Sequence, residues 1–379
     1  MPKKIVIIAG ESSGDLHAAH LINALKERSH NIEIGGLGGR LMKNAGAEIY
    51  YDLTSIAVIG FLEVIKNLRK FKYAFKLILE KIDQIKPDAV ILVDYPGFNL
   101  KIAKELKKRK IPIIYYISPQ IWAWGKKRVK LIENLIDRMI VIFKFEEEFY
   151  KKEGITVFFT GHPLIETTKP SDFRQVIITN NHLDDSRPII TLLPGSRENE
   201  VRKVLPIMLN TASLLYKKNK DLQFLIIRSP SIDEKVYGEI LKVNKLPARL
   251  LVNNVYNLLS ISDFALVCSG TATLEAAILQ VPMVVIYKVT FLSWLFIKSL
   301  IKIPYIGLVN IAAGKKIVPE FIQYDTHPRE IAGFVASTLA DENKLEQIKK
   351  ELFEVKKLLG TTGASKRAAE YIIDFLNGN

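Results

Sequence analysis

The chain has 379 residues, a formal net charge of +14 and 48% hydrophobic residues. That length and composition suit two domains with full cores, and the charge favours acidic partners: phosphorylated substrates, an anionic membrane surface or nucleic acid. A single cysteine, Cys268, excludes an internal disulfide framework and suits a reducing compartment.

In chain order, Lys4–Ala9 reads as a first strand, because Lys3-Lys4 precede an apolar run too short for a signal peptide. A helix is expected from about Gly14 to Glu27, then a strand Asn31–Gly35 ending in the glycine loop Gly35-Gly36-Leu37-Gly38-Gly39. A long helix follows from about Phe61 to Gln84. Strand patterns at Asp88–Asp94, Ile111–Ile117, Met139–Phe143 and Val157–Thr160 alternate with helices at Asn99–Lys108 and near Lys127–Asn134. The strands are continuous apolar runs, the mark of a parallel sheet covered on both faces. Lys169 to Arg187 reads as a linker or domain entry. A second βα series runs from Pro188 to about Tyr287, and helices fill most of the rest, with a start signal near Ile331 and a break at Gly360-Thr361-Thr362-Gly363 before a final helix, Ala364–Leu376. Two doubly wound halves are expected to place loops at strand ends around one cleft.

Two glycine-rich stretches each follow an apolar run and open a helical pattern: Pro194-Gly195-Ser196-Arg197 and Ser269-Gly270-Thr271-Ala272-Thr273-Leu274-Glu275. A small-residue turn there leaves N–H groups free at a helix start, which attracts phosphate. Arg197 adds a permanent forked charge, and Glu275, one turn into its helix, can accept from ribose hydroxyls. The pair points to a nucleoside diphosphate; ordinary βα turns are the plain alternative. Gly36-Leu37-Gly38-Gly39 fails the dinucleotide spacing because Leu41 stands at the third glycine, and there is no Walker A motif. No D-x-D occurs, so metal-independent chemistry and no cofactor are expected.

The longest apolar stretch, Val289 to Ile297, is stopped by Lys298 and falls short of the roughly 18–20 residues of a membrane span. On the helix from Phe61, the side chains of Phe61, Val64, Ile65, Leu68, Phe71, Phe75, Ile78 and Leu79 fall within roughly 140° at ~100° per residue, with Lys66, Arg69, Lys70 and Lys76 beside and behind them. Such a helix suits an anionic lipid interface, or packs its apolar face on the sheet. Phe291 to Lys298, with Trp294 and Lys302, is a second interfacial pattern.

The chain resembles the lipid-A-disaccharide synthase family. Gly10-Glu11-Ser12-Ser13-Gly14-Asp15, Asp94-Tyr95-Pro96-Gly97-Phe98-Asn99, Ser118-Pro119-Gln120-Ile121-Trp122-Ala123-Trp124, Gly161-His162-Pro163, the two glycine stretches, and Asn310 to Gly314 with Gln323 follow its motifs in order along the whole chain. Val309, where the family commonly has proline, and Lys315, where it has arginine, are departures. The resemblance implies α/β, GT-B architecture: two Rossmann-like doubly wound parallel-sheet domains, 1–168 for the acceptor and membrane, completed by the C-terminal helix 361–379, and 169–360 for the UDP-sugar. It implies inverting transfer from UDP-2,3-diacylglucosamine to 2,3-diacylglucosamine 1-phosphate at the inner face of the cytoplasmic membrane, by a peripheral cytoplasmic enzyme. It admits a homodimer.

An inverting transfer needs a base for the acceptor 6-hydroxyl and charge to neutralise the departing UDP. Asp94 is the first candidate base, the alternative being a cap or loop anchor; Asp15, Glu11 and His17 compete, although the two acids also suit helix capping. Arg197 and Ser196 suit the leaving group. The UDP-sugar side takes in Gly195, Ser196, Arg197, Tyr256, Ser269, Gly270, Thr271, Ala272, Thr273, Glu275, Asn310 and Gln323. The acceptor side takes in Glu11, Ser12, Ser13, Gly14, Asp15, Asn99, Gln120, Trp122, Trp124, Lys127, Arg128 and His162, with packing under a loop as the other role for the tryptophans and a hinge for His162. The competing readings are another GT-B-shaped UDP-N-acetylglucosamine enzyme, either a polyprenyl-linked transferase or a 2-epimerase, and a basic nucleic-acid-binding module. The last lacks any RNP, KH or zinc-finger signature, so no nucleic-acid partner is expected.

Overall fold

The computed structural model describes residues 2–55, 68–119, 127–252, 254–290, 294 and 304–378, apart from the side chains of residues 127 and 128. It divides into two compact units, Met1–Pro163 with Gly360–Asn379, and Leu164–Leu359.

The first unit is built on a seven-stranded sheet, every pairing parallel: β1 (Lys3–Ala9), β2 (Ile32–Gly38), β3 (Glu48–Asp52), β4 (Ala89–Val93), β5 (Ile113–Tyr116), β6 (Arg138–Val141) and β7 (Phe158–Phe159), in the order β3-β2-β1-β4-β5-β6-β7. Strand β4, Ala-Val-Ile-Leu-Val, is wholly buried, as a strand with helices on both faces must be. Leu92, Tyr115 and Val141 on one face pack with Ile78 and Ile82 of the helix Leu68–Ile85. The helix Ser12–Arg28 packs against the C-terminal helix Ala364–Leu376. That last helix is tied to the unit by Tyr371, stacked on Phe158 at 4.3 Å, and by Arg367, which donates to the Thr160 carbonyl at 2.6 and 2.9 Å.

The glycine-rich stretch expected as a loop after the second strand is a correction: Gly35, Gly36 and Gly38 lie inside β2. A Cβ on Gly36 would stand 1.8 Å from the Ile7 carbonyl oxygen, and one on Gly35 1.9 Å from the Tyr50 hydroxyl. These glycines let a neighbouring strand and a tyrosine approach closely. The edge strand β3 went unpredicted because five residues of mixed polarity carry too little period to read.

The second unit holds a six-stranded parallel sheet: β8 (Ile189–Leu193), β9 (Gln223–Arg228), β10 (Ala248–Val252), β11 (Phe264–Cys268), β12 (Met283–Tyr287) and β13 (Glu320–Ile322), ordered β10-β9-β8-β11-β12-β13. The segment expected as a linker carries a helix, Arg174–Asn180. Local polarity hid it; Arg174 fixes its start by bonding Asp185 and the Ile261 carbonyl.

In each sheet the strand order reverses once, between β1 and β4 and between β8 and β11. Chains leaving those two strands diverge to opposite sides, and the crevice between them is where ligands bind in open α/β sheets.

Candidate functional site

In the first unit the loops after β1 and β4 flank the reversal. Glu11 precedes the helix Ser12–Arg28 without capping it by its side chain, and Ser12 and Ser13 are exposed in its first turn. A Cβ on Gly14 would meet only ordinary contacts, the nearest Ala9 Cβ at 3.6 Å, so packing does not demand glycine there. Gly10 is different: a Cβ there would lie 2.1 Å from the Tyr95 ring. The two loops therefore touch through that glycine.

Asp94 and Tyr95 have φ of 44° and 48°, two consecutive non-glycine residues in the left-handed region. Each such residue costs about 1–2 kcal/mol, and that strain persists only where the surroundings over-determine it. Here the Asp94 carbonyl accepts from Asn99 Nδ2 at 2.7 Å and from the Tyr115 hydroxyl at 2.6 Å, while Asn99 also donates to the Val93 carbonyl at 3.1 Å. Asn99 is fully buried and holds the loop. The Asp94 side chain is left half-buried at the strand end. Burial raises its carboxyl from 3.8 to about 6, the charge of Glu11 adds to the rise, and a hydrogen bond from the Tyr95 N–H opposes it.

Asp15 sits elsewhere in chemical terms. Its buried carboxylate accepts from the N–H groups of Gly39 (2.7 Å), Leu41 (3.0 Å) and Met42 (3.2 Å), so it braces the start of the helix Arg40–Asn44. The sequence placed it beside its own helix start; the partners come from 24 to 27 residues away. Asp15→Ala is expected to lower the unfolding free energy by about 3 kcal/mol, since three N–H donors, those of Gly39 and Met42 buried, lose a charged acceptor. Denaturant titration measures this. Unchanged stability with a raised acceptor KM would return Asp15 to substrate contact.

His17 and His162 lie edge to face, ring centroids 6.5 Å apart, with Phe143 4.9 Å from His162. Burial drops His17 to about 4, with the neighbouring His20 adding, and drops His162 to about 3, with His17 adding. Both are neutral near pH 7, and His17 is thereby a weak base. Ser118, buried at the end of β5, donates to Glu146 Oε1 at 2.7 Å, and Glu146 Oε2 accepts from the Phe143 N–H at 3.2 Å. Glu146 was missed, because the run Phe145-Glu146-Glu147-Glu148-Phe149 reads as a solvated helix face. Gln120, Trp122 and Trp124 lie outside the described residues, as do the side chains of Lys127 and Arg128. So do Phe61, Val64, Ile65 and Lys66, and most of Phe291–Lys298. Phe71, Phe75, Ile78 and Leu79 pack on the core of the first unit, whereas Leu68 is exposed. Among the described residues no helix is long and apolar enough to cross a membrane.

In the second unit the loops after β8 and β11 flank the reversal. Gly195, at φ 118°, turns the chain into the helix Glu198–Lys218, and Ser196 and Arg197 stand exposed at its start. Gly270, at φ 152°, does the same before the helix Ala272–Ile278, where Thr271 is exposed at the N-cap. Ser269 donates to the Ile306 carbonyl at 3.0 Å. Buried Thr273 donates to the Gly270 carbonyl at 2.8 Å and accepts from the Val309 N–H at 3.3 Å. A proline in place of Val309 lacks that donor, so this departure carries its own contact. Lys315 pairs with Glu351 at 3.8 Å. Glu275 is raised by burial to about 7, opposed by a hydrogen bond from Tyr256.

Asn310 and Gln323 are turned inward. Asn310 donates to Val318 O and Glu320 Oε1, and accepts from the N–H groups of Ile317 and Val318. Gln323, at φ 53°, accepts from the Val289 N–H at 3.1 Å and donates to the Val289 carbonyl at 3.2 Å. Their side chains brace the backbone beside the loops rather than facing solvent. Glu320, which holds the N–H groups of Ile306 and Gly307 at 2.9 Å, was missed. So was Glu200, although it stands at the capping-box spacing from Arg197.

Two parallel-sheet α/β domains of this strand order are the architecture of the GT-B glycosyltransferases. Two solved structures share the fold: a UDP-N-acetylglucosamine 2-epimerase from Neisseria meningitidis bound to UDP-GlcNAc (TM-score 0.68, 16% identity, covering 98% of this chain and 100% of that one) and the glycotransferase of kitacinnamycin (TM-score 0.67, 16% identity, 99% and 100%). At that identity they speak for the fold alone. The family model for lipid-A-disaccharide synthetase matches residues 5–373. The chain is 41% identical over 368 residues to a lipid-A-disaccharide synthase of Syntrophus aciditrophicus, covering 97% of this chain and 96% of that one. It is 38% identical over 373 residues to one of Geobacter sulfurreducens, covering 98% and 97%. The chain belongs to the lipid-A-disaccharide synthase family and is a glycosyltransferase of lipid A biosynthesis. The readings as a 2-epimerase or a polyprenyl-linked transferase are not favoured.

Proposed function

We propose that the enzyme transfers the 2,3-diacylglucosamine of its UDP-linked donor to 2,3-diacylglucosamine 1-phosphate, giving a β-1,6-linked tetra-acyl disaccharide 1-phosphate and UDP. The 6-hydroxyl oxygen of the acceptor forms the new bond to the anomeric carbon as the bond to the UDP oxygen breaks, and the configuration inverts. Asp94 takes the hydroxyl proton. Arg197 and the N–H groups at the start of its helix take up the charge that grows on the diphosphate. Glu275 receives the ribose hydroxyls, with Tyr256 and the Ser269–Thr273 loop around the nucleotide. Glu11, Ser12 and Ser13 face the acceptor, whose phosphate meets Lys127 and Arg128.

The observation that carries this reading is the strained Asp94–Tyr95 turn. A half-buried carboxyl with its titration near 6 is held at a strand end beside the strand-order reversal, at a cost in backbone energy. In this reading residues 1–168 with 361–379 serve the acceptor and 169–360 the donor. The enzyme works as a peripheral protein at the inner face of the cytoplasmic membrane, as a homodimer.

Incubation with both acylated substrates and excess EDTA, read by mass spectrometry, tests the proposal. The expected products are the tetra-acyl disaccharide 1-phosphate and UDP at an undiminished rate. UDP release without the acylated acceptor, or strict restoration by Mg²⁺ or Mn²⁺, would overturn it.

A further inference from the structure

The anion seat at the start of the helix Glu198–Lys218 is taken by the chain itself. Glu200 Oε2 accepts from the Ser196 N–H at 3.2 Å and the Arg197 N–H at 3.3 Å, and Glu200 Oε1 accepts from the Arg197 guanidinium at 2.7 Å. These two N–H groups and that guanidinium are the donors a diphosphate needs at a helix start. The carboxylate folds back over Gly195: a Cβ there would lie 2.6 Å from Glu200 Oε2 and 2.8 Å from Glu200 Cβ. Gly195 is thus required twice, for its positive φ and for the room it leaves to Glu200. The Glu200 side chain is 17% exposed and its Arg197 partner 51%. The negative charge of Glu200 is felt by Cys268 and Tyr287, at the ends of β11 and β12, where it helps to raise both groups. The carboxylate therefore sits at the strand-order reversal of the second unit, among the ends of β8, β11 and β12.

We infer that Glu200 is an internal stand-in for the diphosphate: it holds the Ser196–Arg197 donors in place and competes for them with the nucleotide, which must displace it. The inference rests on the donor-side reading proposed above. The preorganised seat lowers the rearrangement needed when the nucleotide arrives. The same carboxylate opposes the nucleotide by like charge, so the enzyme holds its UDP product less tightly than its donors alone allow. Arg197 exchanges one acceptor for another. A diphosphate carries more charge than a carboxylate, so the exchange favours the nucleotide when it is present.

Calorimetric titration of the full chain with UDP, and separately with uridine, tests this. Glutamine keeps the length of the side chain and an oxygen that accepts from the loop N–H groups, but not the charge. Glu200→Gln is expected to bind UDP at least about fivefold more tightly than the parent, with uridine binding unchanged, because uridine carries no phosphate. Glu200→Asn, which also removes the charge, should change UDP affinity in the same direction, and thermal melts establish that both variants are folded. Unchanged or weaker UDP binding by the two folded variants would overturn the stand-in role and leave Glu200 as a structural brace of Arg197. The donor reading fails separately: a parent chain that binds no UDP, or one whose UDP affinity is untouched by Arg197→Ala, removes the nucleotide from this seat and the inference with it.

Discussion

Asp94→Asn is expected to lower kcat at least ~100-fold while leaving UDP affinity and folding intact. Asparagine keeps the size and, with aspartate, is the non-glycine residue most tolerant of the left-handed backbone that Asp94 adopts at φ 44°. The Asn99 and Tyr115 bonds that hold the turn end on the Asp94 carbonyl, and the Tyr95 N–H that bonds the carboxyl can bond an asparagine Oδ1 instead, so the turn survives the substitution. What is lost is basicity. The pH dependence has a definite sign. The folded state raises this carboxyl from 3.8 to about 6, so the fold favours the protonated form. That contribution to stability is complete below about 3.8 and is lost as pH rises through about 6. Above pH 6 the parent carries a half-buried charge beside Glu11, which asparagine removes, so Tm at pH 8 should hold or rise. Parent kcat/KM should fall as pH drops through about 6. Substantial turnover by a folded Asp94→Asn chain would end its role as base.

Arg197→Ala is expected to cost a further large factor, at least ~100-fold in kcat, as for loss of a charge stabiliser at a leaving group. The guanidinium is half-exposed and donates to Glu200, which still accepts from the Ser196 and Arg197 N–H groups when the guanidinium is gone. Folding should therefore be little changed. A split between kcat and KM decides the role: a fall in UDP affinity alone, with kcat near the parent value, would make Arg197 a binding group rather than a stabiliser of departing charge. Lysine in its place restores charge but not the forked geometry, and should recover only part of the loss.

The sequence by itself determined the chemistry of the strands and the position of the turns. Continuous apolar runs such as Ala89–Val93 and Phe264–Cys268 demand a strand covered on both faces, because nothing polar along them can meet water. Gly195 and Gly270 mark turns that need a positive φ. The ordered motifs carried the family. Only the tertiary structure decided which polar side chains the backbone ties up. Asp15, Asn99, Asn310 and Gln323 read in sequence as candidates for ligand contact. Yet their partners are backbone groups brought close by folding: Gly39 for Asp15, Ile8 and Val93 for Asn99, Ile317 and Val318 for Asn310, Val289 for Gln323. A buried polar group must find a partner, and which one it finds depends on strand order and register rather than on its neighbours in the chain. The same reason moved Gly35, Gly36 and Gly38 from an expected loop into β2, where the close approach of Ile7 and Tyr50 is a fact of packing between strands. It also brought Glu200 back onto the turn that precedes it, where its carboxylate meets the donors expected to hold a phosphate.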